Sequence, residues 1–129
     1  MNNSHILIID NDETFSRSTE DYFNELGIDV ISTRDGVDGY RLVIETQPAM
    51  VMMDTVQTNL DGFQICKLIK MDNRFENIPI VFVSSNDMQE DVMKSEQAGC
   101  DLFLRKPIVL DQLAEELINL IMANNPVEA

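Results

Sequence analysis

Polar side chains suited to chemistry stand at the ends of four short apolar segments of this 129-residue chain. They are Asp10 and Asp12 after ILII, Asp54 after MVMM, Ser84 after IVFV, and Lys106 after LFLR. Carboxylates held close together raise each other's pKa or require a cation. Their oxygens suit Mg²⁺ or Mn²⁺, with water completing the octahedron. The combination of carboxylates, a hydroxyl and an ammonium group is more specific than any one of these residues alone.

Each of these residues also has an ordinary structural interpretation. Asp12 can cap the following helix, a role that can coexist with a functional one, whereas Asp10 has no obvious capping role. Taken alone, Asp54 and Ser84 would be loop residues. Lys106 would be a solvated surface lysine, although the proline that follows it restricts its backbone. The functional interpretation therefore depends on whether the fold brings these residues together.

The elements that would position them follow from the alternation of apolar runs with amphipathic stretches. The pattern predicts strands over His5–Ile9, Ile28–Thr33, Met50–Met53, Ile78–Val83 and Leu102–Leu104. It predicts helices over Asp12–Leu26, Val37–Thr46, Phe63–Met71, Asp87–Ala98 and Leu110–Met122. The inward faces of the first and last helices would carry Phe15, Thr19, Tyr22, Phe23 and Leu26, and Leu110, Leu113, Leu117 and Leu120. Gly27 would end the first helix in a left-handed conformation, and an Asp35-Gly36 turn would start the second.

Five strands alternating with five helices predict an α/β fold with a mainly parallel sheet covered on both faces. Right-handed crossovers make such a fold doubly wound. Ligands of these folds bind outside the carboxyl ends of the strands, where the winding direction reverses. If the first and third strands are neighbours, the carboxylates of Asp10, Asp12 and Asp54 meet at one crevice.

The composition fits one domain, which we place at residues 1–123, with 124–129 as a tail or the start of a linker. The 23 acidic and 9 basic residues give a net charge of −14, which disfavours nucleic acid and anionic membranes as direct partners. No apolar run reaches the ~18 residues that a membrane helix needs. Cys66 and Cys100 are interpreted as reduced thiols of a cytoplasmic protein.

The sequence lacks the residues that several classes of enzyme require. His5 is the only histidine, so a Ser-His-Asp triad or a histidine-rich zinc site would be hard to build. The sequence contains neither a GxxxxGK[ST] loop nor a GxGxxG turn, so it gives no support for nucleotide binding.

Five segments in the correct order and spacing identify a family. They are ILIIDND at 6–12, MMD at 52–54, LDG at 60–62, IPIVFVSS at 78–85 and AGCDLFLRKPI at 98–108. Together they resemble the receiver domain of two-component response regulators, of the chemotaxis-regulator type, over essentially the whole chain. The resemblance implies a flavodoxin-like sheet of five parallel strands in the order 2-1-3-4-5 with five helices.

The resemblance also implies the roles of particular residues. Asp54 matches the phosphoacceptor, Ser84 the hydroxyl that bonds the phosphoryl group, and Lys106 the family's cation. Asp10 matches the first residue of the acidic pair that positions Mg²⁺ or Mn²⁺. Asp54 and the backbone carbonyl of Val56 would be further metal ligands.

Two further features belong to the expected switch. Phe103 matches the aromatic residue whose rotamer reports the signalling state, and the Lys106-Pro107 bond resembles the family's cis peptide. The resemblance implies that a sensor histidine kinase or phosphotransfer protein supplies the phosphoryl group. The fourth helix, fifth strand and fifth helix would present a changed face to a downstream protein or output domain. Ile118, Ile121 and Met122 would be either part of this face or ordinary core. No enzyme activity beyond the protein's own phosphorylation is expected.

The sequence departs from the family pattern in several places. Asn11 stands where a second acidic residue is usual, so it would be a weak metal ligand without charge. Thr58 replaces the usual proline, and Thr55 and Gln57 replace apolar residues. Phe103 lacks the hydroxyl that a tyrosine would offer. These departures leave open a receiver-like interaction module that works with little or no phosphorylation.

Two further expectations concern the loops that follow the acceptor and the hydroxyl residue. The apolar side chain of Val56 cannot orient a hydrolytic water, which predicts a long-lived phosphoryl group. Asn86 would partly offset this long lifetime. A flavodoxin-like cofactor binder is a third interpretation, but the loops lack the Ser, Thr and Gly content that holds a flavin phosphate.

Overall fold

The computed structural model describes residues 5–56, 60–85 and 89–124, with side chains described through Leu120. The strands are β1 (Ile6–Ile9), β2 (Val30–Thr33), β3 (Met50–Met53), β4 (Ile80–Ser84) and β5 (Leu102–Arg105). The helices are α1 (Glu13–Glu25), α2 (Gly36–Thr46), α3 (Gly62–Lys70), α4 (Gln89–Ala98) and α5 (Leu110–Asn124). Strand and helix alternate through the described part of the chain, as the sequence pattern predicts.

All the strand pairs are parallel, and the sheet order is β2-β1-β3-β4-β5. The chain therefore winds from β1 outward to β2 on one side and to β3, β4 and β5 on the other. The carboxyl ends of β1 and β3 lie side by side at this reversal, with Ile9 level with Met53. The predicted flavodoxin-like doubly wound fold is confirmed, including its strand order.

Two apolar layers hold the helices against the sheet. Ile6 and Ile8 of β1 face one layer, and Leu7 and Ile9 face the other. The first layer includes Phe23 of α1 and Leu113, Ala114 and Leu117 of α5. The second includes Val43, Ile65, Cys66, Ile69 and Ala98, from α2, α3 and α4. Because both faces are covered, β1, β3 and β4 are buried throughout, which explains their continuous apolar sequences.

Aspartate caps set the starts of three helices. Oxygen atoms of Asp12, Asp35 and Asp61 accept hydrogen bonds from backbone N–H groups three residues later, at 3.1, 3.2 and 2.9 Å. Each bond satisfies a donor that the first helical turn leaves unpaired. The capping role predicted for Asp12 is confirmed, and α2 begins at the predicted Asp35-Gly36 turn.

The left-handed conformation predicted for Gly27 at the end of α1 is confirmed, but the positions predicted for its neighbours Leu26 and Ile28 are wrong. Gly27 has a φ of +81°, and the Ile28 N–H donates to the Phe23 carbonyl at 2.9 Å. The Gly27 N–H donates to the Asn24 carbonyl at 3.0 Å, which completes a Schellman motif. Ile28 is thus part of the helix end, and β2 begins only at Val30. The inward position predicted for Leu26 is wrong, since it follows the last helical turn and is 54% exposed.

Other boundaries shift for local reasons. The Ile78 N–H donates to the Phe75 carbonyl at 3.0 Å, so a turn occupies the predicted start of β4. Phe75 is buried in the core, although its segment reads as a loop. α5 extends two residues past the predicted Met122, and its stripe is confirmed by the burial of Leu113 and Leu117.

Parts of the prediction fall outside the described residues: Gln57, Thr58, Asn86, the predicted start of α4 at Asp87, and the segment 125–129. In the described part of the chain, no helix has the length and apolar character needed to cross a membrane.

Candidate functional site

Four of the residues singled out in the sequence come together at the carboxyl edge of the sheet: Asp10, Asp12, Asp54 and Lys106. Lys106 reaches over the ends of β1 and β3 and places its Nζ near three carboxylates. The distances are 3.0 Å to Asp10 Oδ2, 3.5 Å to Asp12 Oδ2 and 3.7 Å to Asp54 Oδ2. The expectation that these carboxylates meet an ammonium group at one edge agrees with this geometry.

Asp10 is the most buried of the three carboxylates, with 1% of its surface exposed. Its Oδ1 accepts the backbone N–H of Asp12 at 2.8 Å. Its Oδ2 forms an ion pair with Lys106 but no well-directed hydrogen bond to the residues the structure describes. Burial raises the pKa of Asp10, and the negative charge of Asp54 adds to the rise, while the Asp12 N–H and Lys106 oppose it. The site therefore holds a carboxylate that is costly to keep charged without further positive charge.

Asp12 performs two roles in the structure. Its Oδ1 caps α1 and its Oδ2 faces Lys106. The hydrogen bond from the Phe15 N–H lowers the pKa of Asp12 most, and Lys106 lowers it further. The helix cap therefore also contributes a charged oxygen to the edge of the site.

The Lys106 side chain is only 12% exposed and is held from several sides. Its backbone N–H donates to the Ser84 carbonyl at 2.9 Å, which ties it to the end of β4. The cis peptide expected between Lys106 and Pro107 is present. The Lys106 Nζ also lies 4.4 Å from the centre of the Phe15 ring, which is a cation–π contact. This contact of Phe15 was not predicted, because the two residues lie far apart in the sequence.

Asp54 lies at the exit of β3 with its side chain 17% exposed. Its backbone N–H donates to the Ile9 carbonyl at 3.1 Å, and its Oδ1 accepts the Val56 N–H at 3.1 Å. The start of α3 packs tightly behind it, because a Cβ on Gly62 would lie 2.7 Å from the Asp54 carbonyl oxygen. Asp54 is thus fixed by its backbone while its carboxylate stays accessible.

Ser84 ends β4 and is buried, with its Oγ 3.2 Å from Thr55 Oγ1. Thr55 is buried as well. Phe103 lies on the same face of the sheet, where it packs half-buried against the layer formed with α2, α3 and α4. The hydroxyl contact of Thr55 was not predicted, because the sequence shows only a polar residue where the family usually has an apolar one.

The expected metal ligands differ in their surroundings. Asp10 is buried, whereas Asn11 and Val56 are exposed. Across the described ranges 5–56, 60–85 and 89–124, no group of three or more His, Cys, Asp or Glu side chains is arranged to hold a metal ion. Mg²⁺, however, commonly uses one or two carboxylates and several waters. Two carboxylates, an amide and a backbone carbonyl fit that preference.

Other reactive residues lie away from this edge. His5 bonds Thr46 Oγ1 at 2.9 Å before the start of β1. Burial raises the pKa of Cys66 to about 12 and that of Cys100 to about 11, so neither thiol is disposed to act as a nucleophile.

Comparisons with known proteins agree on one family. Residues 6–118 match the model of the response regulator receiver domain. The chain is 32% identical over 124 residues to protein PilG of Pseudomonas aeruginosa, covering 96% of this chain and 92% of PilG. A CheY-like receiver domain protein of Methanospirillum hungatei superposes with a TM-score of 0.89 at 18% identity, covering 96% of this chain and 98% of that one.

A third similar structure is the receiver domain of a sensor histidine kinase of Pseudomonas aeruginosa, which has a magnesium ion coordinated in its active site cleft. It superposes with a TM-score of 0.84 at 24% identity, covering 93% of this chain and 98% of that one. These matches favour a receiver over the flavin-binding interpretation.

Proposed function

The chain belongs to the response regulator receiver domain family, and we propose that it acts as a signalling switch by accepting a phosphoryl group on Asp54. The supporting observation is the position of this carboxylate. It is accessible at the winding reversal, and its Oδ2 lies 3.7 Å from the Lys106 ammonium group. A carboxylate so placed can attack phosphorus while a fixed cation balances the charge that gathers on the phosphoryl oxygens.

The reaction is a direct transfer from a donor to the carboxylate. An oxygen of Asp54 forms the new bond to phosphorus as the bond from phosphorus to the donor breaks, and the electron pair leaves with the donor. With a phosphohistidine donor, the departing imidazole nitrogen takes up a proton from solvent. Because the transition state is loose and highly charged, positioning and neutralisation supply most of the catalysis. Lys106 supplies positive charge, and Ser84 donates a hydrogen bond to the transferred group.

A divalent ion completes the site in this proposal, most simply Mg²⁺, with Mn²⁺ as a substitute. Asp10, Asp54, the backbone carbonyl of Val56 and, more weakly, the amide of Asn11 would hold it. The buried Asp10 Oδ2 pairs with Lys106 but accepts no well-directed hydrogen bond among the described residues, which supports this assignment. When bound, the ion offsets the negative charge of the carboxylates and of the incoming phosphoryl group.

The donor would be a sensor histidine kinase or a phosphotransfer protein in the cytoplasm. Phosphorylation would draw Ser84 toward Asp54 and change the packing of Phe103, which lies on the same face of the sheet. The signal would leave through α4, β5 and α5. Ile118 is an exposed apolar residue of α5, which favours a protein-binding role for it. The side chains of Ile121 and Met122 lie outside the described residues.

The test is an intact-mass measurement after incubation with acetyl phosphate and Mg²⁺. We expect a gain of one phosphoryl group that disappears with chelator and in Asp54→Ala. Asp29→Ala is the matched control, because Asp29 is an exposed aspartate before β2, away from the carboxyl edge of the sheet. Equal incorporation in the Asp54→Ala and Asp29→Ala proteins would contradict the assignment of Asp54.

A second candidate function is a receiver-like interaction module that works without efficient phosphorylation. The observation that favours it is the neutral Asn11 at a position where the family usually supplies a charged metal ligand. Absence of the mass gain with Mg²⁺, with Mn²⁺ and with a phosphorylated histidine kinase would support this candidate over the first.

A further inference from the structure

Two buried hydroxyl groups lie against each other beside the proposed phosphoacceptor. In the register of β3 and β4, Met53 stands level with Phe82. Thr55 follows the end of β3 by two residues, and Ser84 is the last residue of β4. Their hydroxyl oxygens are 3.2 Å apart, and both residues are almost completely buried. Ser84 thus starts from a defined hydrogen-bonded position.

Thr55 is the fixed member of this pair. Its carbonyl accepts the Gly62 N–H at 3.2 Å, and a Cβ on Gly62 would lie 3.2 Å from Thr55 Cα. The start of α3 therefore holds the Thr55 backbone in place. Its side chain is β-branched, which restricts the χ1 torsion. Ser84 has a small unbranched side chain that can occupy any of three staggered positions, so Ser84 is the member that moves.

We propose that Thr55 is a positioning residue that holds the Ser84 hydroxyl away from Asp54 until a phosphoryl group is present. This inference rests on the proposed function, in which Ser84 bonds the phosphoryl group on Asp54. In this inference, Ser84 gives up the Thr55 contact when its hydroxyl bonds the phosphoryl group. The Thr55 contact therefore opposes the change of state.

The length of the contact is consistent with a bond that can be exchanged. At 3.2 Å it is longer than the usual 2.7–2.8 Å between hydroxyl oxygens, whereas a bond to a charged phosphoryl oxygen is about twice as strong as a neutral one. The bond to the phosphoryl group therefore replaces the Thr55 contact. The net free energy gained is smaller than it would be without that contact. Removing the Thr55 hydroxyl should make the phosphorylated arrangement easier to reach.

The experiment measures the affinity for beryllofluoride, a stable mimic of a phosphoryl group, in the presence of Mg²⁺. Thr55→Val keeps the shape of the side chain and removes its hydroxyl. We expect it to tighten binding about fivefold, which corresponds to about 1 kcal/mol. Thr55→Ser keeps the hydroxyl and is expected to bind within about twofold of the wild type. In a Ser84→Ala background the Thr55→Val substitution should have no effect, because the partner is gone.

A second measurement reports the position of Ser84 directly. In the unliganded protein, proton couplings across the Ser84 χ1 torsion should show one rotamer for the wild type and for Thr55→Ser. They should show a changed rotamer population for Thr55→Val. A merely structural role for Thr55 would change thermal stability without changing these couplings.

The outcomes separate this inference from the proposed function. If Thr55→Val bound the mimic as tightly as the wild type or more weakly, the role of Thr55 would be overturned and the proposed function would remain intact. Weakening would mean that the Thr55 hydroxyl supports the bound state. Failure of the wild-type protein to bind the mimic would contradict the proposed function and, with it, the role of Thr55.

Discussion

Lys70 and Lys106 are partly buried lysines at opposite edges of the same sheet, and their surroundings differ. At the amino edge, Lys70 Nζ donates to Asp101 Oδ2 at 2.8 Å and to the Ile78 carbonyl at 2.9 Å. Asp101 Oδ2 also accepts the Ile80 N–H at 2.7 Å. The cation and the carboxylate are thus both satisfied by short hydrogen bonds that join α3 to the starts of β4 and β5.

At the carboxyl edge, one ammonium group serves three carboxylates. Lys106 Nζ lies 3.0, 3.5 and 3.7 Å from the oxygens of Asp10, Asp12 and Asp54, and the pKa of Asp10 is raised. The difference shows that the same residue type can lie in a balanced or in an unbalanced set of charges. The balanced arrangement at Lys70 stabilises the fold, whereas the excess of negative charge at Lys106 leaves a site that favours an additional cation.

The largest effect that distinguishes the two edges is on phosphorylation. Lys106→Met is expected to slow phosphorylation by acetyl phosphate by about 100-fold, because it removes a fixed charge from the transition state. Lys70→Met, the same substitution at the amino edge, should leave the rate within about twofold. Initial rates of mass gain measure both. Similar losses in the two variants would show that the edges do not differ in this way.

The second effect is on the free energy of unfolding and is expected at the amino edge, where Lys70 lies. Asp101→Ala removes the acceptor of the buried Ile80 N–H and the partner of Lys70, and is expected to lower the free energy of unfolding by about 2 kcal/mol. Asp29→Ala, at an exposed position, is the control and should change it by less than about 0.5 kcal/mol. Urea unfolding at neutral pH measures the difference. An Asp101→Ala protein as stable as the control would show that the Lys70 arrangement contributes little.

A smaller effect is expected from completing the acidic pair at the carboxyl edge. Asn11→Asp adds a charged ligand beside the proposed metal site and should tighten Mg²⁺ binding about tenfold, since affinity rises with the number of charged ligands. Asn73→Asp adds the same charge at an exposed position away from the site and is expected to have no measurable effect. Calorimetric titration with Mg²⁺ distinguishes the two. Equal affinities would remove Asn11 from the ligand set.

The smallest effect tests the charge of Asp10. Because its pKa is raised in the folded protein, the charged form costs stability at neutral pH, and this cost disappears as the pH falls below the carboxyl's unfolded value. Asp10→Asn, which imitates the protonated form, is therefore expected to raise the melting temperature by a few degrees at pH 7, on the order of 1 kcal/mol or less. The gain should vanish near pH 4.

The matched substitution for this test is Asp101→Asn, which should lower the melting temperature at pH 7 because it weakens a satisfied ion pair. If the two asparagine variants shifted the melting temperature in the same direction, the contrast between the edges would be wrong. Thermal unfolding followed by circular dichroism in metal-free buffer measures both variants.

Much of the fold could be predicted because the relevant signals are local. Apolar runs and aspartate caps such as Asp12 lie within a few residues of the elements they define. The predictions that Leu26 faces inward and that β4 starts at Ile78 were wrong because backbone hydrogen bonds form turns at these positions. Hydrogen bonds from Ile28 to Phe23 and from Ile78 to Phe75 decide those boundaries, and a hydrophobic pattern does not report them.

The site shows the same division between local and distant information. The expected positions of Asp10, Asp54, Ser84 and Lys106 follow from strand ends, which are visible along the chain. The contacts of Thr55 with Ser84 and of Phe15 with Lys106 join residues 29 and 91 positions apart in the sequence. Such pairs depend on strand register and helix docking, so a single sequence does not reveal them.

The most direct test of the account is to locate the phosphoryl group. After reaction with acetyl phosphate and Mg²⁺, borohydride reduces an aspartyl phosphate to homoserine, and peptide mass spectrometry identifies the reduced residue. We expect homoserine at position 54 and unreduced aspartate at positions 10, 12 and 61. Reduction at another carboxylate, or no reduction in a protein that has gained a phosphoryl group, would contradict the assignment of Asp54 as the acceptor.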